Sequence, residues 1–263
     1  MKRIYVVVVI IALVVLAMGS SAGATSMKGK TKVEVDLGYD AFAFTGVANW
    51  YNGWAEVLES WGWTLVENRP PSHAIPYGAR VRYGLSPTLS VIGSVGSFSS
   101  SGRLAHSVDW GSSTANLTTD TTVSATFFGA GVQFVLVDPP VYNIFAEVVV
   151  GSWGVTLHET WRETGDSPAT EERRARGSTI GGMLAIGGEY FLPNSSISLV
   201  GRIMYRIGRL AQIATTSDDL GYSEVGQPYQ TYDPATDDLT DMQIDLGGLG
   251  ASFGVCFSIF GKK

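Results

Sequence analysis

The chain has 263 residues, 45% of them hydrophobic and 16% charged, a balance that fills a folded core and excludes a disordered tail. A net charge of −6 and a pI near 5.1 supply no basic surface for a phosphate backbone, so nucleic acid is not an expected partner. The single cysteine, Cys256, cannot close an internal disulfide, and no Cys/His spacing resembles a zinc site, so neither metal nor cofactor is expected.

The chain opens with Lys2 and Arg3, an apolar run from Val6 to Met18, and small residues ending in Ala22-Gly23-Ala24. This is the order of a cleavable secretory signal. The run is shorter than the roughly 20 residues a spanning helix needs. The expected organisation is a signal over residues 1–24, cut after Ala24, and one exported acidic domain over residues 25–263.

Apolar and polar residues then alternate. In the first strand Val33, Val35, Leu37 and Tyr39 oppose Lys32, Glu34, Asp36 and Asp40, a period of two that gives one greasy and one polar face. The pattern returns from Tyr77 to Gly84, Leu89 to Gly96, Phe128 to Leu136, Tyr142 to Gly151, Thr179 to Tyr190 and Ile197 to Gly208. The last strand reads Met242, Ile244, Leu246, then changes phase at Gly247-Gly248 to Leu249, Ala251, Phe253, Val255, Phe257 and Ile259. A glycine pair at a phase change predicts a β-bulge. The tally is about eight strands, each near the 9–11 residues that cross a bilayer at a tilt.

Three connections are compact: Ser86-Pro87-Thr88, Asp138-Pro139-Pro140 and Pro193-Asn194-Ser195. The others, roughly Thr45 to Ala74, Ser99 to Thr121, Val155 to Gly177 and Leu210 to Thr240, are expected as long loops. Strict alternation puts every turn at one end and every loop at the other, the layout of bacterial outer-membrane barrels. A soluble lipocalin-like barrel would carry the same alternation with its greasy face inward around a hydrophobic ligand. Two features favour greasy-out: no lysine stands between Lys32 and Lys262, and Tyr77, Tyr83, Tyr142, Tyr190 and Tyr205 fall near strand ends, where an interfacial girdle belongs. The expected fold is all-β, an eight-stranded antiparallel up-and-down transmembrane β-barrel with long external loops.

With these features the chain resembles the small outer-membrane β-barrel proteins, the group that includes the OmpA transmembrane domain, OmpX and OmpW. The resemblance is one of pattern over almost the whole mature chain. It departs at the end, where Phe260 is followed by Gly261-Lys262-Lys263 instead of closing the chain with the aromatic residue that insertion machinery reads. It implies an integral outer-membrane protein of a Gram-negative envelope, monomeric, with outer-membrane lipid, lipopolysaccharide and the barrel-insertion machinery as partners. The function it implies is a structural or surface-interaction role through the external loops. A narrow channel for small or hydrophobic solutes and a periplasmic lipocalin-like binder are the alternatives.

The candidate lumen charges are Glu34, Asp36, Arg80, Arg82, Glu147, Glu189, Arg202, Arg206 and Asp245. They form either a salt-bridged plug or the lining of a pore, and an eight-stranded barrel is just wide enough to be filled by its own side chains. In the first loop Trp54, Val57, Leu58 and Trp61 are spaced as one face of a short amphipathic helix, placed either over the barrel mouth or in the lipid interface. Acidic residues from Asp218 to Asp241 lack the ligand order of an EF-hand, so no metal is expected there. His106-Ser107 and His158-Glu159-Thr160 are the histidines beside hydroxyls; neither spacing makes a triad, and no enzyme is expected.

Overall fold

The computed structural model describes residues 28–260 apart from 43, 110, 112, 166–167, 222–223 and 234–237, so the leader expected over 1–24 lies outside the described residues. In chain order the elements are β1 (Thr31–Phe42), the helix α1 (Thr45–Ser60), β2 (Thr64–Arg69), β3 (His73–Ala74), β4 (Tyr77–Gly84), β5 (Leu89–Asp109), β6 (Thr114–Val137) and β7 (Tyr142–Thr164). They continue with β8 (Ala169–Phe191), β9 (Ile197–Leu210), β10 (Ala214–Asp218), β11 (Gln230–Asp233), β12 (Asp238–Asp241), β13 (Ile244–Asp245) and β14 (Gly248–Phe260).

Eight of these, β1, β4, β5, β6, β7, β8, β9 and β14, pair antiparallel in chain order, and β14 returns to β1. The sheet closes into an eight-stranded up-and-down barrel, and its backbone groups are satisfied around the ring without a bare edge. The tight ends are held locally: the amide of Leu89 donates to the Ser86 hydroxyl oxygen at 3.0 Å, and that of Ile197 to the Ser195 hydroxyl oxygen at 3.0 Å.

Around the short-turn half of the barrel the apolar residues point out. Val35, Leu37, Val81, Val95, Val150, Ile203 and Phe253 are exposed, while Lys32, Glu34, Arg82, Glu147, Glu189 and Arg202 are buried. The inward-facing, lipocalin-like arrangement is therefore overturned. Outward tyrosines form two levels, Tyr83, Tyr142 and Tyr190 near the short turns and Tyr39, Tyr77 and Tyr205 farther up.

Above this band the polarity of the wall inverts. On β5 Phe98, Leu104 and Val108 point in, with Ser99, Ser101 and Arg103 out; on β7 Trp153, Val155, Leu157 and Trp161 point in, with Ser152, Thr156 and Thr160 out. This corrects two sequence readings. The segments Ser99 to Thr121 and Val155 to Gly177 are not loops but extensions of the barrel strands: all of β5 pairs with β6 in unbroken register from Leu89↔Phe134 to Asp109↔Thr114, and β7 stays paired to β8 from Tyr142↔Tyr190 to Glu163↔Ala169. Nor is there a bulge at Gly247-Gly248, because Ile244↔Leu210, Asp245↔Arg209 and Gly248↔Arg206 belong to one register. Met242, Ile244 and Leu246 face the interior and Leu249 and Phe253 the exterior. What changes at the glycines is the medium outside the wall, from water to the apolar band, while the strand keeps its phase.

The inverted region forms a dome with its own apolar core. Its walls are the extended β5–β8 strands, supplemented by β2 against β5 and β10 against β8, and α1 packs into it.

Candidate functional site: a filled lumen beneath the dome

The lumen fills from below with paired charge. Near the short turns the Lys32 ammonium meets Glu189 at 2.6 Å, and Arg82 binds Glu189 at 3.1 Å and the Gln133 side-chain oxygen at 2.9 Å. One level up, Arg202 is gripped by two carboxylates, donating to Glu34 Oε2 at 2.6 Å and through Nε to Glu147 Oε2 at 3.0 Å. Arg80 shares that site, 2.6 Å from Glu147 and 3.2 Å from Asp36. The uppermost rung is Arg206 with Asp40. Gly250 lies opposite Asp40 in the β1–β14 pairing, and a β-carbon there would collide with the Asp40 carboxylate, so the missing side chain makes room for this pair.

The five cations Lys32, Arg80, Arg82, Arg202 and Arg206 thus meet the five anions Glu34, Asp36, Asp40, Glu147 and Glu189. Buried charge persists only when paired, because removing one partner strands the other without water. Above the charges come the rings of Phe42, Phe98, Phe127 and Trp153; Phe42 and Phe98 stack 4.3 Å apart, and Phe127 lies 4.6 Å from Trp153. A cavity of about 40 Å³ sits where charge meets ring, between Arg80 and Arg206 below and Phe98, Phe127 and Trp153 above.

A closed ring, paired charge within and an apolar band with two tyrosine levels outside settle the architecture. The fold is that of an outer-membrane β-barrel. No family model and no curated protein matches the chain. Among solved structures it is similar to Ail, the attachment invasion locus protein of Yersinia pestis, with 12% identity over 88% of this chain and 99% of that one and a TM-score of 0.37. It is also similar to the outer membrane protein OprG from Pseudomonas aeruginosa (9% identity, 90% and 98% covered, TM-score 0.44). A third likeness is to the N-terminal β-barrel domain of OprF from the same organism (12% identity, 88% and 100% covered, TM-score 0.31). These are likenesses of fold.

Of the nine lumen candidates, the barrel brings eight together. Asp245 stands apart: it is half-buried above the ladder, and its Oδ1 accepts the amide of Gly247 at 2.7 Å. The position lies in the inverted part of the strand, where inward phase belongs to Ile244 and Leu246. Sequence reasoning left out Lys32 and Asp40, although both share the parity of Glu34 and Asp36 on β1. It also left out Gln133 and Ser198, which look like ordinary polar residues until the closed ring sets them against Arg82 and Glu189.

The helix also differs from expectation. It runs from Thr45 to Ser60, and its buried face is Val47, Trp50, Tyr51, Ala55 and Leu58, with Trp54 half-buried. Val57 lies on the flank, and Trp61 follows the helix with 67% of its surface exposed. The helix ends there because Gly62 takes φ +88°, which lets the amide of Trp63 reach back to the Leu58 carbonyl at 3.0 Å. The stripe is thus rotated from the one read by spacing alone, which began at Trp54 and missed the first two turns.

A second polar cluster lies inside the dome. Glu159 is buried between Arg173, 3.6 Å away, and the Tyr229 hydroxyl, which donates to it. Arg173 also reaches Asp218 at 3.2 Å and lies 4.1 Å over the Tyr229 ring. Burial pushes the Glu159 carboxyl above the usual carboxylate range, against the pull of Arg173, and pushes the Tyr229 phenol well above 10. Asp218, the first of the acidic residues from Asp218 to Asp241, therefore belongs to this cluster, while Asp237 lies outside the described residues. His106 is buried against α1, and His158 is 3.4 Å from Glu172, so the two histidines face different surroundings. Among the described residues no group of three or more His, Cys, Asp or Glu is placed to hold a metal ion.

Proposed function

We propose that the chain is an integral protein of a bacterial outer membrane, exported by its signal over residues 1–24, and that its working part is the dome. In this reading the barrel anchors, and the dome serves as a surface-exposed interaction module. The observation that carries it is the filling of the lumen: ten paired charges below and stacked rings above leave a cavity of about 40 Å³ at their junction, room for a few waters at most. A conduit needs the opposite arrangement. The outer wall of the dome, with Ser99, Ser101, Thr122 and Ser124 joined in hydroxyl pairs 3.1 Å apart and Arg103, Arg162, Arg174 and Arg176 around them, suits contact with the sugars and phosphates of lipopolysaccharide. A monomer in lipid, inserted by the barrel machinery, completes the proposal.

Planar-bilayer conductance tests it. The purified barrel is expected to give no steps above the lipid baseline; reproducible steps that scale with added protein would instead support a narrow channel.

A further inference from the structure

At the top of the dome, the C-terminal half of α1 and the outer ends of β6, β7 and β8 enclose a groove of about 210 Å³. Trp54 comes from the helix, Trp61 from the turn that ends it and Trp161 from β7; Leu117 adds an apolar side. The rings of Trp54 and Trp161 meet edge to face, 5.4 Å apart at 79°. Glu171 is the pairing partner of Trp161, Glu163 lies two residues farther along β7, and both carboxylates line the same groove. The adjacent cations are engaged elsewhere, Arg162 with Asp120 and Arg174 with Glu172, and among the described residues Glu163 and Glu171 have no ion-pair partner.

Three indoles and two carboxylates with no ion-pair partner among the described residues surround one hollow and make an electronegative apolar surface. A neutral apolar ligand gains nothing from the carboxylates, and a compact, strongly hydrated cation loses too much water on entering. A bulky alkylated ammonium suits both: its charge is diffuse and weakly hydrated, indole faces attract it more than other aromatic rings do, and a carboxylate neutralises it. The volume falls below the roughly 300 Å³ at which pockets begin to hold whole drug-sized molecules, so a headgroup fits better than a complete chain.

We infer that this groove binds a quaternary ammonium group of the trimethylammonium type. The inference deepens the reading of the dome as the working surface and rests on it.

The test uses the whole barrel in a polyoxyethylene detergent, which carries neither sugar nor ammonium headgroups. It is titrated with choline chloride, with the uncharged tert-butyl analogue of choline, and with sodium chloride at matched ionic strength, while tryptophan fluorescence is read. Choline is expected to give a saturable change that the analogue and the salt do not. Trp61→Ala and Glu171→Gln should each weaken it by about fivefold or more, the size of one such contact at a partly exposed site. Both variants alter the surface, and retained heat-modifiability on a gel shows that each has folded. An equal response to the analogue, no saturable response to choline, or full choline affinity in both folded variants would overturn the inference. A barrel silent in bilayers that ignores choline refutes the ligand alone, whereas a conducting barrel refutes the reading beneath it.

Discussion

Arg202 stands where two carboxylates need it, and that fixes what its loss does. Arg202→Met takes both hydrogen bonds from Glu34 and leaves the buried ladder one cation short, with Glu147 still held by Arg80, and breaking a buried pair from one side costs about 3–5 kcal/mol. Urea titration of the folded barrel in micelles should show that loss, and a change under about 1 kcal/mol would mean that water reaches the ladder. In the dome, two groups respond to pH with opposite sign. Burial holds His106 below its ordinary 6.5, with Glu59 of α1 pulling the other way, so on acidification the unfolded chain takes the proton first; stability is intact above about 6.5 and is lost as pH falls below it. Glu159 is raised above 4.5, so the folded state keeps its proton longer, and stability declines as pH climbs from about 4.5. Amide exchange of α1 measured against pH should lose its acid-side acceleration in His106→Gln and its decline in protection above about 4.5 in Glu159→Gln.

At the scale of elements, the helix separates structure from surface. Trp50 is buried 6.1 Å from Trp161, so Trp50→Ala opens a cavity in the dome core and should cost about 3–5 kcal/mol. Trp61→Ala should stay within about 0.5 kcal/mol, because that side chain lies largely in solvent. Thermal unfolding followed by near-UV circular dichroism distinguishes them, and similar losses in both would return Trp61 to the packed face on which spacing put it. The barrel strands were legible in the sequence because each carries strong contrast at period two, as in Val33 to Asp40. The upper strands were not. Ser99, Ser101, Thr122 and Ser124 read as loop composition, yet they are the wet side of a strand whose dry side is Phe98, Leu104, Val123 and Ala125. Alternation was present there with its sign reversed, and a search for greasy-out strands passes over it.

For the molecule as a whole, the mature chain should migrate faster unboiled than boiled on an SDS gel, since a closed ring has no edge at which detergent can begin to peel it. One migration position for both samples would argue against a closed barrel. Which residues share the lumen was legible only in part. Parity gives the face, but Arg82 meets Glu189 and Arg202 meets Glu34 across more than a hundred residues of sequence, and only the closed ring brings them together. The inversion of polarity explains both sequence misreadings, the supposed loops and the supposed bulge, since each marks where the wall leaves the apolar band. The unbroken β5–β6 and β7–β8 ladders have a mechanical consequence. Along these described strands the border between lipid and water is not a joint: the ladders cross it without a break, so whatever grips their tips moves the barrel with them. A pull along the strands is then shared as shear by a long row of hydrogen bonds lying across the load, and the grip should fail before the anchor does.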